Sequence, residues 1–269
     1  MSETLSATAS DAEPFHHPGG AHANVGVLLC HGFTGSPQSL RPWGESLAKA
    51  GFRVSLPRLP GHGTHWRDLQ ATGWPDWLAE LEKSLLELRS ECDHVFVMGL
   101  SMGGGLALRL AELHGPATDG LLIDGLVLVN PSVKRNRPVE AVIPLAARLL
   151  PSVPGIASDI KKDGASEIGY DRVPLKAARS LARLWKIVQG DLGRVTQPVL
   201  LFRSVQDHVV HPSSSALVLA RIASTDVAEV LLPDSYHVAT LDHDADRIFE
   251  GSAAFVRRLA VPTGQEAGA

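Results

Sequence analysis

Three residue types in a fixed chain order carry the chemistry that this sequence can do: a serine, then an acid, then a histidine. Ser101 stands in the run Gly99-Leu100-Ser101-Met102-Gly103. A serine hydroxyl is a poor nucleophile at neutral pH. It needs a histidine to take its proton and a carboxylate to hold that histidine in the right tautomer. An apolar run over residues 95–98 leads into the motif, and a helical pattern over residues 106–113 leads out. A buried strand that becomes a buried helix within a few residues must bend sharply. The bend strains the serine backbone and lifts its hydroxyl clear of the fold. Glycines two residues to either side leave room for the neighbouring strand and helix. The helix start also points free N–H groups at any negative charge that develops near Ser101. This context favours a nucleophile over a serine that merely caps a helix.

The acid must lie just past a later strand. After residues 126–130 the chain reads PSVKRN, with no acid in reach, whereas after residues 199–202 it reads RSVQDHVV, which places Asp207 in the loop. Asp124 precedes its strand and falls at the wrong end of the sheet. The base must follow both, again in a loop beyond a strand, and His237 in PDSYHVAT meets that condition among twelve histidines. His208 and His211 are too near Asp207 in sequence to be held between it and Ser101. His243 belongs to the start of the last helix and reads as a surface residue.

Attack on a carbonyl also needs donors for the oxyanion. The N–H of Met102, next after the nucleophile, supplies one. The segment His31-Gly32-Phe33, after the first apolar strand, supplies the other through the N–H of Phe33. His31 reads as a support for that loop and not as a proton carrier. His62 and His65, in GHGTH, have no cysteine or carboxylate at ligand spacing, so neither a metal nor any other cofactor is expected.

The elements that must position these residues alternate. Strands are expected over residues 25–30 (VGVLLC), 52–56, 95–98, 125–130, 198–202 and 227–232. Helices are expected from Pro37 to about Ala50, then over residues 74–88, 106–113, 214–223 and 245–259. Within residues 74–88, Trp77, Leu81, Leu85 and Leu88 share one face. The alternation predicts an α/β fold: a mostly parallel central sheet flanked by helices. It breaks between Pro131 and Arg194, where no strand pattern is clear and helical patches occur near residues 141–150 and 175–188. That stretch reads as a cap inserted over the carboxyl ends of the strands, where such sheets bind ligands. Residues 59–73 read as a long loop. The expected organisation is a flexible segment over 1–24, with Phe15 in an edge strand, a core over 25–130 and 195–260, a cap over 131–194, and a disordered tail over 261–269.

Composition sets the outer bounds. The 269 residues suffice for one large domain. A net charge of -4, without basic blocks, argues against a nucleic-acid surface. The two cysteines, Cys30 and Cys92, adjoin separate strand patterns and are expected as reduced thiols. The opening MSETLSATASDAEP has no apolar core of the signal-peptide kind. The richest apolar stretch, residues 139–150, is short and contains Pro144 and Arg148. The expectation is a soluble cytoplasmic protein.

The segments GVLLCHGFTGSPQSLRPW, LPRLPGHGTHWRDL, VFVMGLSMGGGLAL, DHVVHP and SYHVATLDHD together resemble the α/β-hydrolase superfamily, and within it the bacterial monoacylglycerol lipases and small carboxylesterases. The run SYHVATLDHD with GHGTHW points to the monoacylglycerol lipase type. The resemblance implies Ser101 as nucleophile, Asp207 as acid, His237 as base, and Phe33 and Met102 as oxyanion donors. It also implies a glycerol-contacting carboxylate at Glu167 and an apolar pocket residue at Ile156, both in the insert. The implied activity is cleavage of monoacylglycerols to glycerol and fatty acid, with a small lipid ester as partner. Transient contact with a lipid surface and a homodimer are compatible with it. The alternatives are a broad carboxylesterase acting on short-chain esters and a ligand-binding protein that has lost turnover. A dehalogenase or epoxide hydrolase would need an aspartate at the elbow.

Overall fold

The computed structural model describes residues 12–115, 123–134, 150–155 and 158–260. Residues 1–11, residues 116–122, residues 135–149 with most of the apolar stretch, residues 156 and 157 including Ile156, and the tail from 261 lie outside the described residues.

Continuous apolar runs become the inner strands of one sheet, because a strand covered on both faces has no polar side. The strands are β1 (Phe15–His17), β2 (His22–Cys30), β3 (Phe52–Leu56), β4 (His94–Leu100), β5 (Gly125–Val129), β8 (Val199–Ser204) and β9 (Val227–Leu232). Their spatial order is β1-β3-β2-β4-β5-β8-β9. All pairs are parallel except β1 with β3. The short β1, held by Phe15 opposite Leu56, closes one edge.

Helices cover both faces, as right-handed crossovers between parallel strands require. Helix α3 (Trp74–Glu91) buries Trp77, Leu81, Leu85 and Leu88 on one face, as their spacing predicts. Burying each leucine contributes about 1.5–3 kcal/mol. Helix α4 (Met102–Leu113) packs on the same side. Helices α1 (Arg41–Lys49) and α7 (Ala245–Ala260) pack on the other, through Trp43, Leu47, Ile248 and Phe249.

Two expectations need correction. Residues 59–73 contain helix α2 (Trp66–Gln70). It is capped by the His65 ring, which accepts from Arg67 N at 3.1 Å, and it is too short for helical periodicity to register. The stretch between β5 and β8 does contain strands: β6 (Ser152–Pro154) pairs antiparallel with β7 (Arg172–Pro174). Three-residue strands that end in proline leave no alternation to read. Helix α5 (Leu175–Asp191) follows, and α6 (Ser213–Arg221) lies between β8 and β9. Cys30 and Cys92 are both buried free thiols. No helix among the described residues is long and apolar enough to cross a membrane.

Candidate active site

Strand register brings the site together. Cys30 sits opposite Gly99, Leu100 opposite Val129, Val129 opposite Phe202, and Ser204 opposite Leu232. Five parallel strands therefore end in line, and the loops holding Phe33, Ser101, Asn130, Asp207 and His237 all leave from that end.

Ser101 has φ 56° and ψ -118°, a conformation that costs a residue with a Cβ roughly 1–3 kcal/mol. Its N–H donates to Val129 O at 3.0 Å, and its own carbonyl accepts from Gly105 and Ser132. The flanking glycines are steric necessities. A Cβ on Gly103 would run into the carbonyls of Cys30 and His31, and one on Gly99 into the Gly103 backbone. Ser101 is 9 % exposed, so the residue is nearly sealed from solvent.

The loop beside it is built by His31. That ring is fully buried, bonds Gly32 O through Nδ1 at 3.0 Å and accepts from Leu59 N–H on Nε2 at 3.2 Å. Burial lowers its pKa to about 4, against a smaller opposing effect of Gly32 O, so it stays neutral and structural. Thr34 takes φ 65°, and its carbonyl accepts from Tyr170 N at 2.9 Å. A Cβ on Gly32 would lie 3.7 Å from the Cβ of Ser101, so the loop abuts the serine directly. Among the described residues, the N–H groups of Phe33 and Met102 donate to no protein acceptor.

Asp207 and His237 meet. Nδ1 of His237 lies 2.8 Å from Oδ2 of Asp207, while Oδ1 accepts from the N–H groups of Val209 and Val210 at 2.8 and 2.7 Å. Burial acts to raise the Asp207 pKa, but the His237 charge and these hydrogen bonds outweigh it, so the net shift is downward. Burial likewise acts to lower the His237 pKa, and Asp207, with smaller contributions from Glu167 and Asp159, outweighs it, so that pKa is raised. With Nδ1 committed to Asp207, Nε2 is the free basic nitrogen.

Glu167 is enclosed in the same region. A Cβ on Gly35 would lie 2.6 Å from its Oε1, and Ser39, whose hydroxyl donates to Ser36 O at 3.1 Å, lies beside its carboxyl. Burial raises its pKa to about 7, opposed by His237 and Ser39. The other candidates fall elsewhere. Asp124, at the opposite end of the sheet, accepts from Val95 N at 2.8 Å and faces His94 and Arg89. His211 Nδ1 meets Ser213 Oγ at 2.8 Å. His62 stacks edge-on against Trp77, with ring centroids 5.5 Å apart, and burial holds its pKa well below the usual value.

Sequence reasoning missed the residues that hold the loops. Asn130, with φ 45°, donates through Nδ2 to His237 O at 2.8 Å and Ser204 Oγ at 2.9 Å, and its Oδ1 accepts from Ser204 N. The buried Asp242 carboxylate accepts from the N–H groups of Lys161, Lys162, Tyr236 and His243 at 2.7–3.0 Å. Gln38 bridges to Ser166 O and Ile168 N around Glu167. The one signal that could have found Asn130 is its place at the tip of a central strand.

The family described as serine aminopeptidase S33 matches residues 21–244. A thermostable monoacylglycerol lipase of a Bacillus species is 42% identical over 252 residues, covering 93% of this chain and 96% of that one. A solved structure of a metagenome-derived lipolytic enzyme superposes with a TM-score of 0.86 at 38% identity, over 92% of this chain and 98% of that one. A monoglyceride lipase of Saccharomyces cerevisiae, solved with a substrate analogue, shares the fold at a TM-score of 0.75 and 20% identity, over 91% of each chain.

Proposed function

The chain belongs to the serine aminopeptidase S33 family of hydrolases, and on that premise we propose that it cleaves monoacylglycerols to glycerol and fatty acid through an acyl-enzyme on Ser101. His237 Nε2 takes the Ser101 proton as Oγ attacks the ester carbonyl. Asp207 holds the ring and stabilises the imidazolium, and the N–H groups of Phe33 and Met102 take the oxyanion. The imidazolium returns its proton to the leaving glycerol oxygen. Water then attacks the acyl carbonyl as His237 takes its proton, the bond from that carbon to Ser101 Oγ breaks, His237 returns the proton to Oγ, and the acyl group leaves as the acid.

The observation that carries this reading is the convergence at one sheet end of a strained Ser101 and a buried His237–Asp207 pair. The Bacillus relative, a monoacylglycerol lipase, supports the choice of substrate. Residues 131–194 act in this reading as a cap. Tyr170, whose hydroxyl donates to Gly61 O at 2.8 Å, and Ser180, which accepts from Trp74 N at 3.0 Å, support its seating on the core. The substrate is a lipid, so the reading includes transient contact with a lipid surface.

The test is a panel of monoacylglycerols, p-nitrophenyl esters and an aminoacyl anilide. The highest kcat/KM is expected on monoacylglycerols. Equal values on simple alkyl esters would make the protein a broad carboxylesterase, and preference for the anilide would make it a peptidase.

A further inference from the structure

Asp159 lies between β6 and β7, far in sequence from both Asp207 and His237. Its carboxylate, with only 10 % of the side chain exposed, bridges the loops of both. Oδ2 accepts from His237 N and from His208 N, each at 3.2 Å. Oδ1 meets Nδ1 of His208 at 2.8 Å, and the Asp159 carbonyl accepts from Val238 N at 3.1 Å. Its neighbour Ser158, at φ 55°, accepts from Glu167 N at 2.9 Å and donates to Glu167 O at 3.3 Å through one hydroxyl.

We infer that Asp159 is a positioning residue for the proton relay: it fixes the main chains of the base loop and the acid loop against each other and adds a second fixed negative charge beside His237. The inference rests on the reading of His237 as the base. The argument is one of geometry and charge. A main-chain N–H at a buried position needs an acceptor, and for His237 that acceptor is a side chain from outside its own loop. A carboxylate accepts where a neutral group would, and it also favours the protonated form of any imidazole it faces. The charged and titratable groups facing His237 are Asp207 from the loop after β8, and Glu167 and Asp159 from the segment between β6 and β7. His208, beside Asp207, faces Asp159 from the far side. Each of the three carboxylates raises the His237 pKa against the effect of burial.

Asp159→Asn keeps an acceptor for His237 N but removes the charge. The acid limb of kcat/KM on p-nitrophenyl acetate is expected to move to lower pH by about half a unit or more, with kcat falling more than KM changes. A residue that only supported the fold would lower the melting temperature and leave the limb in place, and that result would overturn the inference. His208→Lys, at an exposed position, covers the case in which Asp159→Asn does not fold. The fixed positive charge of the lysine offsets the negative charge of Asp159, so here too the acid limb is expected to move to lower pH. No movement, or movement upward, would also overturn it. His237→Ala is measured alongside. Full activity there would remove the base assignment itself, whereas loss of activity there with an unmoved limb in the Asp159 and His208 variants would remove the present inference alone.

Discussion

His237 Nδ1 and Asp207 Oδ2 lie 2.8 Å apart, both side chains nearly sealed from solvent. The pair raises the histidine pKa and lowers that of the aspartate. In the proposed mechanism His237 is the base, and it can take a proton only when neutral. A raised pKa therefore places the acid limb of kcat/KM above the usual histidine value of about 6.5, with activity lost as pH falls through it. Asp207→Asn should cut kcat by roughly 10⁴ and move that limb down. Alanine at Ser101, Asp207 or His237 should each cost several orders of magnitude, without adding. A fluorophosphonate probe should label the wild type and not Ser101→Ala, and full labelling of that variant would sink the nucleophile assignment.

The elbow glycines make a sharper steric prediction. In Gly103→Ala the new methyl would collide with main-chain carbonyls of β2 and its loop, which cannot swing aside as a flexible side chain could. The variant should lose activity together with cooperative folding. Gly190→Ala is the control, because a Cβ there meets nothing within 4 Å and the residue is exposed in α5. It should stabilise by on the order of 0.5 kcal/mol through reduced unfolded-state entropy, with activity unchanged. Thermal melts and one ester assay check both.

These contrasts mark what the sequence could and could not reveal. The placement of Ser101, Asp207 and His237 beyond one end of the sheet was legible, because each falls just past an apolar run and the order serine, acid, histidine restricts the choice. The parallel sheet was legible from runs such as VGVLLC. Helix α2 and strands β6 and β7 were not, because five and three residues are too few to display a period. Asn130, Asp159 and Asp242 were not legible as partners, because their bonds depend on register between distant segments. Asn130 reaches Ser204 74 residues on, and Asp242 reaches Lys161 81 residues back. Local sequence carries propensity, and such pairings arise only when the strands align.

A second titrating group bears on stability and not on chemistry. Glu112, 1 % exposed on α4, pairs with Arg109 at 2.9 Å, and Arg109 also holds Asp191 at 2.6 Å. Burial raises the Glu112 pKa to about 8, opposed by Arg109. The folded state then keeps a proton that the unfolded chain, with its glutamate near 4.3, releases. Stability is accordingly lost as pH rises from about 4.3 towards 8. Glu112→Gln removes the titration and keeps an acceptor for Arg109. Its melting temperature relative to wild type should climb between pH 5 and pH 8, and a difference that stays flat across that range would contradict the assignment.

The last prediction concerns how glycerol is read. A monoacylglycerol has an apolar chain and a leaving group with two free hydroxyls, so a pocket that prefers it over an alkyl ester must offer polar partners. Glu167 is enclosed against Gly35 and Ser39, within electrostatic reach of His237. Its main chain is held on both sides, by Ser158 and, through its neighbours, by Gln38. A carboxylate on a main chain held this way is costly to bury and able to accept hydrogen bonds from a hydroxyl. Glu167→Ala should lose tenfold or more in kcat/KM on a monoacylglycerol, as expected for a charge-assisted hydrogen bond worth about 1.5–3 kcal/mol. Activity on a p-nitrophenyl ester, which lacks those hydroxyls, should change little. The pKa of about 7 adds a signature: the monoacylglycerol to p-nitrophenyl ester ratio should rise with pH through 7 in the wild type, as the carboxyl ionises, and stay flat in Glu167→Gln. Equal losses on both substrates would mean that Glu167 holds the insert in place and does not read the glycerol.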